Sequence, residues 1–199
     1  MKNFPTLRDW IDDLAENDLL TIAKPGLSLN FELAALAHRL DGERATFFPN
    51  PGGHGIPVVS GIMSNRPWIA RAMGVDEKGI LKKYQEAVSA PLPCKVIPQS
   101  NAKVQEVIHD GPIDLAALLP APIHNEHDGG AYITAGLLIS ANPKTGKQNV
   151  SINRCQLQGG NKLGVSVSSR DTGAFLAESE KQGKPMPITI VIGVDVMTL

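Results

Sequence analysis

Cysteine is close to missing from this 199-residue chain: Cys94 and Cys155 are the only two, and they form no CxxC pair. That scarcity argues against a disulfide framework or a zinc-sulfur site and favours a reducing compartment. An excess of one charge is missing too, since 19 Lys and Arg meet 20 Asp and Glu for a formal net charge of -1. No overall field marks the chain for nucleic acid or an anionic membrane, so any anionic ligand must be held by local design. Long apolar runs are also lacking, and no window approaches the roughly 18 apolar residues of a membrane span. The opening MKNFPTLRDW has no basic region followed by an apolar signal core. These absences lead to the expectation of a cytoplasmic protein. What remains is 42% hydrophobic content, enough for a real core in one large domain or two small ones.

Residues 6–18 place Leu7, Trp10, Ile11 and Leu14 at helical spacing, with Thr6 as N-cap and Asp9 three residues on. A second helix is expected over 30–40, where Leu33, Leu36, Ala37 and Leu40 repeat one face. ATFFP and IPVVSGI, separated by NPGGHG, read as two short strands of a hairpin-like element. Residues 65–88 return to helix, with Asn65 as cap and a break near Gly74. Pro91, Pro93 and Pro98 make 89–100 a connector of little regular structure. Farther on, Tyr132 to Ile139 forms a buried strand, paired through the NPKTGK turn with the stretch that follows. DTGAFLAESEKQGK is helical, starting at Asp171 or Thr172 with Gly183 past its end. PMPITIVIGVDV gives a β-branched strand expected at the centre of a sheet, with Thr198 and Leu199 on it or immediately after it. No internal repeat or low-complexity segment is visible.

The stretch GKQNVSINRCQLQGGNKLG carries the chemistry. It sets Asn149, Ser151, Asn153 and Arg154 among Val150, Ile152 and Leu157 in a β-type segment. Buried polar groups are costly unless something satisfies them. Side chains alternate along a strand, so Asn149 and Arg154, five apart, point to opposite faces unless the backbone bulges or Asn149 still belongs to the turn. Two readings follow. Arg154 snorkels or pairs with an acid while Asn149 and Asn153 serve the turn, or the group forms an anion or cofactor pocket that uses the arginine fork. Spacing alone does not choose between them. Elsewhere, HNEHDGG is H-x-E-H in a Pro-rich loop rather than a metal helix, and NPGGHG lacks dinucleotide or P-loop spacing. Cys155 beside Arg154 is either a thiol of lowered pKa or a small buried residue. No Ser-His-Asp constellation can be read.

The order DGGAYITAGLLIS, KQNVSINRCQLQGGNKLG, GKPMPITIVIGVD closely resembles the UbiD family of decarboxylases, and LRDWIDDLAENDLLTI and SNRPWIARAMGV resemble its N-terminal region. The specific motif is N-x-S-x-x-R followed by N-K-L-G. The resemblance implies an α/β fold: an N-terminal α/β domain over 1–110, then part of a split β-barrel over 111–199 that binds prenylated FMN. It implies a carboxy-lyase that reversibly decarboxylates an aromatic or α,β-unsaturated acid. By position, Asn149 matches a divalent-metal ligand beside the flavin phosphate, Ser151 and Ile152 match the segment around the flavin, and Arg154 matches a catalytic arginine that also faces the flavin. The metal would be Mn²⁺ or Mg²⁺, with K⁺ as a further cofactor. Many relatives carry a histidine ligand where SSRDTGAF stands, and Asp171 aligns best with it. A carboxylate is a good hard ligand, though a helix cap is the other use for that residue. Family chains are roughly twice as long, and their later part supplies a glutamate ligand, the catalytic glutamates and a dimerising domain. A complementary subunit in a homo- or hetero-oligomer is therefore expected, or else a non-catalytic binding or assembly subunit or a truncated remnant that keeps the fold.

Overall fold

The computed structural model describes residues 3–167 and 170–199. Helix α1 (Leu7–Glu16) starts at a reciprocal cap: Thr6 Oγ1 accepts from the Asp9 N–H, and the Asp9 carboxylate accepts from the Thr6 N–H. Its buried face, Trp10, Asp13 and Leu14, follows the expected helical spacing. Strand β1 (Leu20–Ile22) comes next, then helix α2 (Glu32–Leu40), β2 (Ala45–Phe48) and β3 (Val58–Ser60). β2 and β3 pair antiparallel as the hairpin pattern predicts, while β1 lies parallel to β2 on the other side. Three residues are too few to show a period, so β1 left no trace in the sequence. Asn65 caps α3 (Arg66–Met73) by accepting from the Trp68 N–H, and Gly74 ends it in the left-handed conformation at φ 66°. Helix α4 (Ile80–Ser89) follows, and the proline-rich connector beyond it holds only short helical turns.

Two packed clusters make the core of this first unit. One joins Phe4, Trp10, Leu14, Ala45, Trp68 and Val196; the other joins Ala23, Leu33 and Phe48. The Trp10 indole N–H donates to the Ile62 carbonyl at 2.9 Å, which satisfies its one polar atom in a fully buried place. Asp13 is also fully buried, and Arg71 grips its carboxylate through Nε and a second guanidinium nitrogen at 2.6 and 3.1 Å.

The second unit opens with the short helix α5 (Leu115–Leu118) and a four-stranded sheet in the order β6-β5-β4-β7. Its strands are β4 (Tyr132–Ala141), β5 (Gln148–Leu157), β6 (Leu163–Val165) and β7 (Ile188–Val191), and all neighbours are antiparallel. The β4-β5 turn closes as its sequence predicts, with the Asn142 side chain accepting from the N–H groups of Lys144 and Thr145. Helix α6 (Asp171–Lys181) covers one face of the sheet, and Gly183 follows it at φ 63°.

Two expectations are corrected. The β-branched strand β7 lies at an edge, not at the centre, and Ile188 is exposed. No described strand pairs with its outer side, and Ile190 and Val191 are only half-buried, so composition overstated its burial. The chain also runs on for eight residues past Val191, folding back until Val196 enters the first core.

Candidate functional site

Strand β5 keeps strict alternation. Asn149, Ser151 and Asn153 are partly buried on the face toward α6, while Gln148, Val150, Ile152 and Arg154 are exposed. The irregularity that would bring Asn149 and Arg154 together is absent from β5 and appears in β4 instead. Ile133 pairs with Cys155 and Gly136 with Asn153, so Thr134 and Ala135 together oppose the single residue Arg154. The two side chains thus leave the strand on opposite faces. The Arg154 guanidinium has no ion pair or hydrogen bond among the described residues.

The polar face is satisfied in three ways. Ser151 Oγ donates to Asn153 Oδ1 at 2.7 Å, and Asn153 Nδ2 donates to the Ser166 carbonyl at 3.2 Å, which ties β5 to the segment after β6. Asn149 Nδ2 donates to Thr172 Oγ1 at 2.9 Å. Above these groups opens a cavity of about 410 Å³, lined by the β5 residues Asn149 to Asn153, by Ser166 and Val167, and by Arg170, Asp171 and Thr172 at the start of α6. Asn149, Ser151, Ile152 and Asp171 all line it, whereas Arg154 does not. Arg170 occupies the N-cap position and Asp171 is the first helical residue; no side chain among the described residues caps the helix. Asp171 is exposed, so the capping use of its carboxylate is not realised and the group is open to the cavity.

The donor set has a definite chemical character. A guanidinium and the N–H groups at the start of a helix favour an anion such as phosphate. An amide oxygen and a carboxylate favour a hard divalent cation. Together they fit a phosphate bridged by such a cation, in a cavity of ligand size. Among the described residues no group of three or more His, Cys, Asp and Glu is placed to hold a metal ion. Arg170 and Ser166 went unmarked in the sequence, and Thr172 was marked only as a helix start; the signal for Arg170 was its place just before that start, which gains meaning only once β5 is seen beneath it.

The other candidates are placed plainly. HNEHDGG is an exposed turn in which Asn125 accepts from the His127 N–H and Asp128 accepts from the Asn125 N–H. Cys155 is buried, and burial pushes its thiol pKa up, opposite to an activated nucleophile.

Comparison with known proteins adds the following. The profile described as "3-octaprenyl-4-hydroxybenzoate carboxy-lyase Rift-related domain" matches residues 95–199, and that of the corresponding N-terminal domain matches residues 11–88. An evolved dimeric form of the UbiD-class enzyme HmfF from Pelotomaculum thermopropionicum, solved in complex with prFMN, superposes with a TM-score of 0.92 at 37% identity, covering 96% of this chain and 44% of that one. Gallate decarboxylase of Lactiplantibacillus plantarum is 34% identical over 143 residues, 69% of this chain and 29% of its own length. Anhydromevalonate phosphate decarboxylase of Methanothermobacter thermautotrophicus is 31% identical over 193 residues, 97% of this chain and 44% of its own length. The chain thus spans less than half the length of each of these relatives.

Proposed function

The chain belongs to the 3-octaprenyl-4-hydroxybenzoate carboxy-lyase, or UbiD, family, and from that premise we propose that it carries the flavin-phosphate side of a decarboxylase. The reaction is reversible loss of carbon dioxide from an aromatic or α,β-unsaturated carboxylic acid, with prenylated FMN as cofactor. The observation that carries this reading is the cavity itself, where Asn149, Ser151 and Asn153 meet Arg170, Asp171 and Thr172. When bound, the modified flavin supplies an electron sink for the carbanion left by departing carbon dioxide.

The rest is work for this chain's residues. Asn149 and Asp171 would hold Mn²⁺ or Mg²⁺, with K⁺ as a further ion, and Arg170 and the α6 N-terminus would neutralise the cofactor phosphate. Ser151 and Ile152 would flank the flavin. Arg154, with no acid beside it among the described residues, is free to grip the substrate carboxylate by charge-assisted hydrogen bonds. Residues 111–199 form the partial split barrel and 1–110 the N-terminal domain. The acid that pairs with Arg154 and moves the proton comes from sequence beyond the matched part of the family. Exposed apolar side chains, among them Leu92, Val96, Val104, Val150 and Ile152, support seating that part here in a cytoplasmic homo- or hetero-oligomer. No helix among the described residues is long and apolar enough to cross a membrane.

A second reading, a non-catalytic binding or assembly subunit, is favoured by one observation: Arg154 stands on the opposite face of β5 from Asn149. One experiment separates the two. The chain is co-expressed with a partner supplying the rest of the family length and with a source of prenylated FMN, and flavin absorbance and carbon dioxide release are recorded. Flavin retention with turnover that Arg154→Ala abolishes supports the enzyme. Flavin retention without turnover supports the binding subunit, and loss of both defeats the cavity reading.

A further inference from the structure

Two hydroxyls from different elements stand behind Asn149. Ser140 on β4 pairs directly with Asn149 on β5, so their side chains leave the sheet on the same face. Thr172, in the first turn of α6, comes down on both. Its Oγ1 accepts from Asn149 Nδ2 at 2.9 Å and lies 3.4 Å from Ser140 Oγ. Ser140 and Thr172 are 2% and 7% exposed, so both hydroxyls sit in the interior between helix and sheet.

That placement is chemically expensive for packing alone. Helix α6 buries Thr172, Phe175 and Ser179 against the sheet. Valine would fill position 172 at nearly the same volume with no hydroxyl to desolvate. Besides accepting from Ser140 Oγ, the hydroxyl takes the NH₂ end of the Asn149 amide, its shorter contact. The amide carries a donor and an acceptor on the same carbon, and only the oxygen end can ligate a cation. With Nδ2 held at Thr172, Oδ1 is the unengaged end and accepts no hydrogen bond from the described residues, at a cavity that Asn149 itself lines.

We infer that Thr172, backed by Ser140, is a positioning residue that locks the Asn149 amide so that its oxygen faces a divalent cation in the cavity. The inference rests on the cation-and-phosphate reading of that cavity. Partners behind a metal ligand fix its orientation, and their loss typically weakens metal affinity while leaving the ligand in place.

The test uses the 199-residue chain with Mn²⁺ and FMN as probes, read by Mn²⁺ electron paramagnetic resonance and flavin fluorescence. Thr172→Val is expected to weaken Mn²⁺-dependent FMN binding by on the order of 10- to 100-fold. Thr172→Ser, which keeps the hydroxyl, is expected to restore it. In an Asn149→Ala background Thr172→Val should add nothing, because the group it positions is gone. The melting temperature of Thr172→Val should fall modestly, because Ser140 Oγ loses its partner, and the Asn149→Ala background separates that loss from the loss of binding. Should that variant fail to fold, Thr172→Ala and Ser140→Ala carry the same comparison, with Ser140→Ala giving the smaller loss. Thr172→Val binding both probes as the starting protein does would overturn the inference and leave the cavity reading intact. Thr172→Ser behaving like Thr172→Val, or additive losses in the Asn149→Ala background, would also overturn it, since either assigns Thr172 to packing. A starting protein that binds neither probe sinks the cavity reading, and the inference with it.

Discussion

The two units of this molecule bury polar groups in opposite ways. In the first, Asp13 is fully enclosed and its carboxylate is gripped by Arg71 from another helix, so the charge is neutralised within the chain. In the second, Asn149 is held at one end by Thr172 while its other end has no partner among the described residues and lies at a cavity. The first arrangement is complete as it stands. The second has spare ligating capacity, which is what a binding site needs and a structural core avoids. Polar residues in the first unit should therefore govern stability, and those in the second should govern what the protein holds.

Substitutions can break that contrast in order of expected size. Trp10→Ala removes a fully buried side chain at the centre of the first core and should cost about 3–5 kcal/mol in denaturant unfolding. Arg71→Ala strips the cation from a buried carboxylate and should cost about 3 kcal/mol, with affinity for FMN unchanged in whatever fraction stays folded. Asn149→Ala should do the reverse. Its unfolding midpoint should shift little, while Mn²⁺-dependent FMN affinity drops by on the order of 10- to 100-fold in a fluorescence titration. Paired Val150→Ser and Ile152→Ser substitutions on the exposed face of β5 should change the chain's own stability by about 0.5 kcal/mol or less. The same pair should weaken capture of a partner subunit in analytical ultracentrifugation. If Arg71→Ala impairs flavin binding as strongly as Asn149→Ala, the division between the units is wrong.

The elements that the sequence made legible are those written in local contacts. The cap of α1 needs only Thr6 and Asp9, three residues apart, and the β4-β5 turn needs only Asn142 and its neighbours. The features that escaped notice depend on distant partners. β1 is a strand because Ala45 and its neighbours lie beside it, and β7 is an edge because no described strand pairs with its far side. The site divides in the same way. The polar positions of β5 were visible as an oddity within one stretch, and strand alternation foretold that Asn149 and Arg154 would part unless a bulge intervened. The bulge that forms belongs to the opposing strand, at Thr134 and Ala135, a choice that no spacing within β5 encodes. Arg170 and Thr172 likewise acquire roles only through α6 settling on the sheet, which brings Thr172 to Asn149, 23 positions away in sequence.

Val196 belongs to the core formed by Phe4, Trp10, Leu14, Ala45 and Trp68, so a residue near the last position helps fill a cluster that otherwise ends by Ala72. On the ribosome, that cluster waits for the whole second sheet to emerge before Val196 arrives. Until then Trp10 and Phe4 have an incomplete wall, and a nascent chain stalled in the second sheet offers that gap to chaperones.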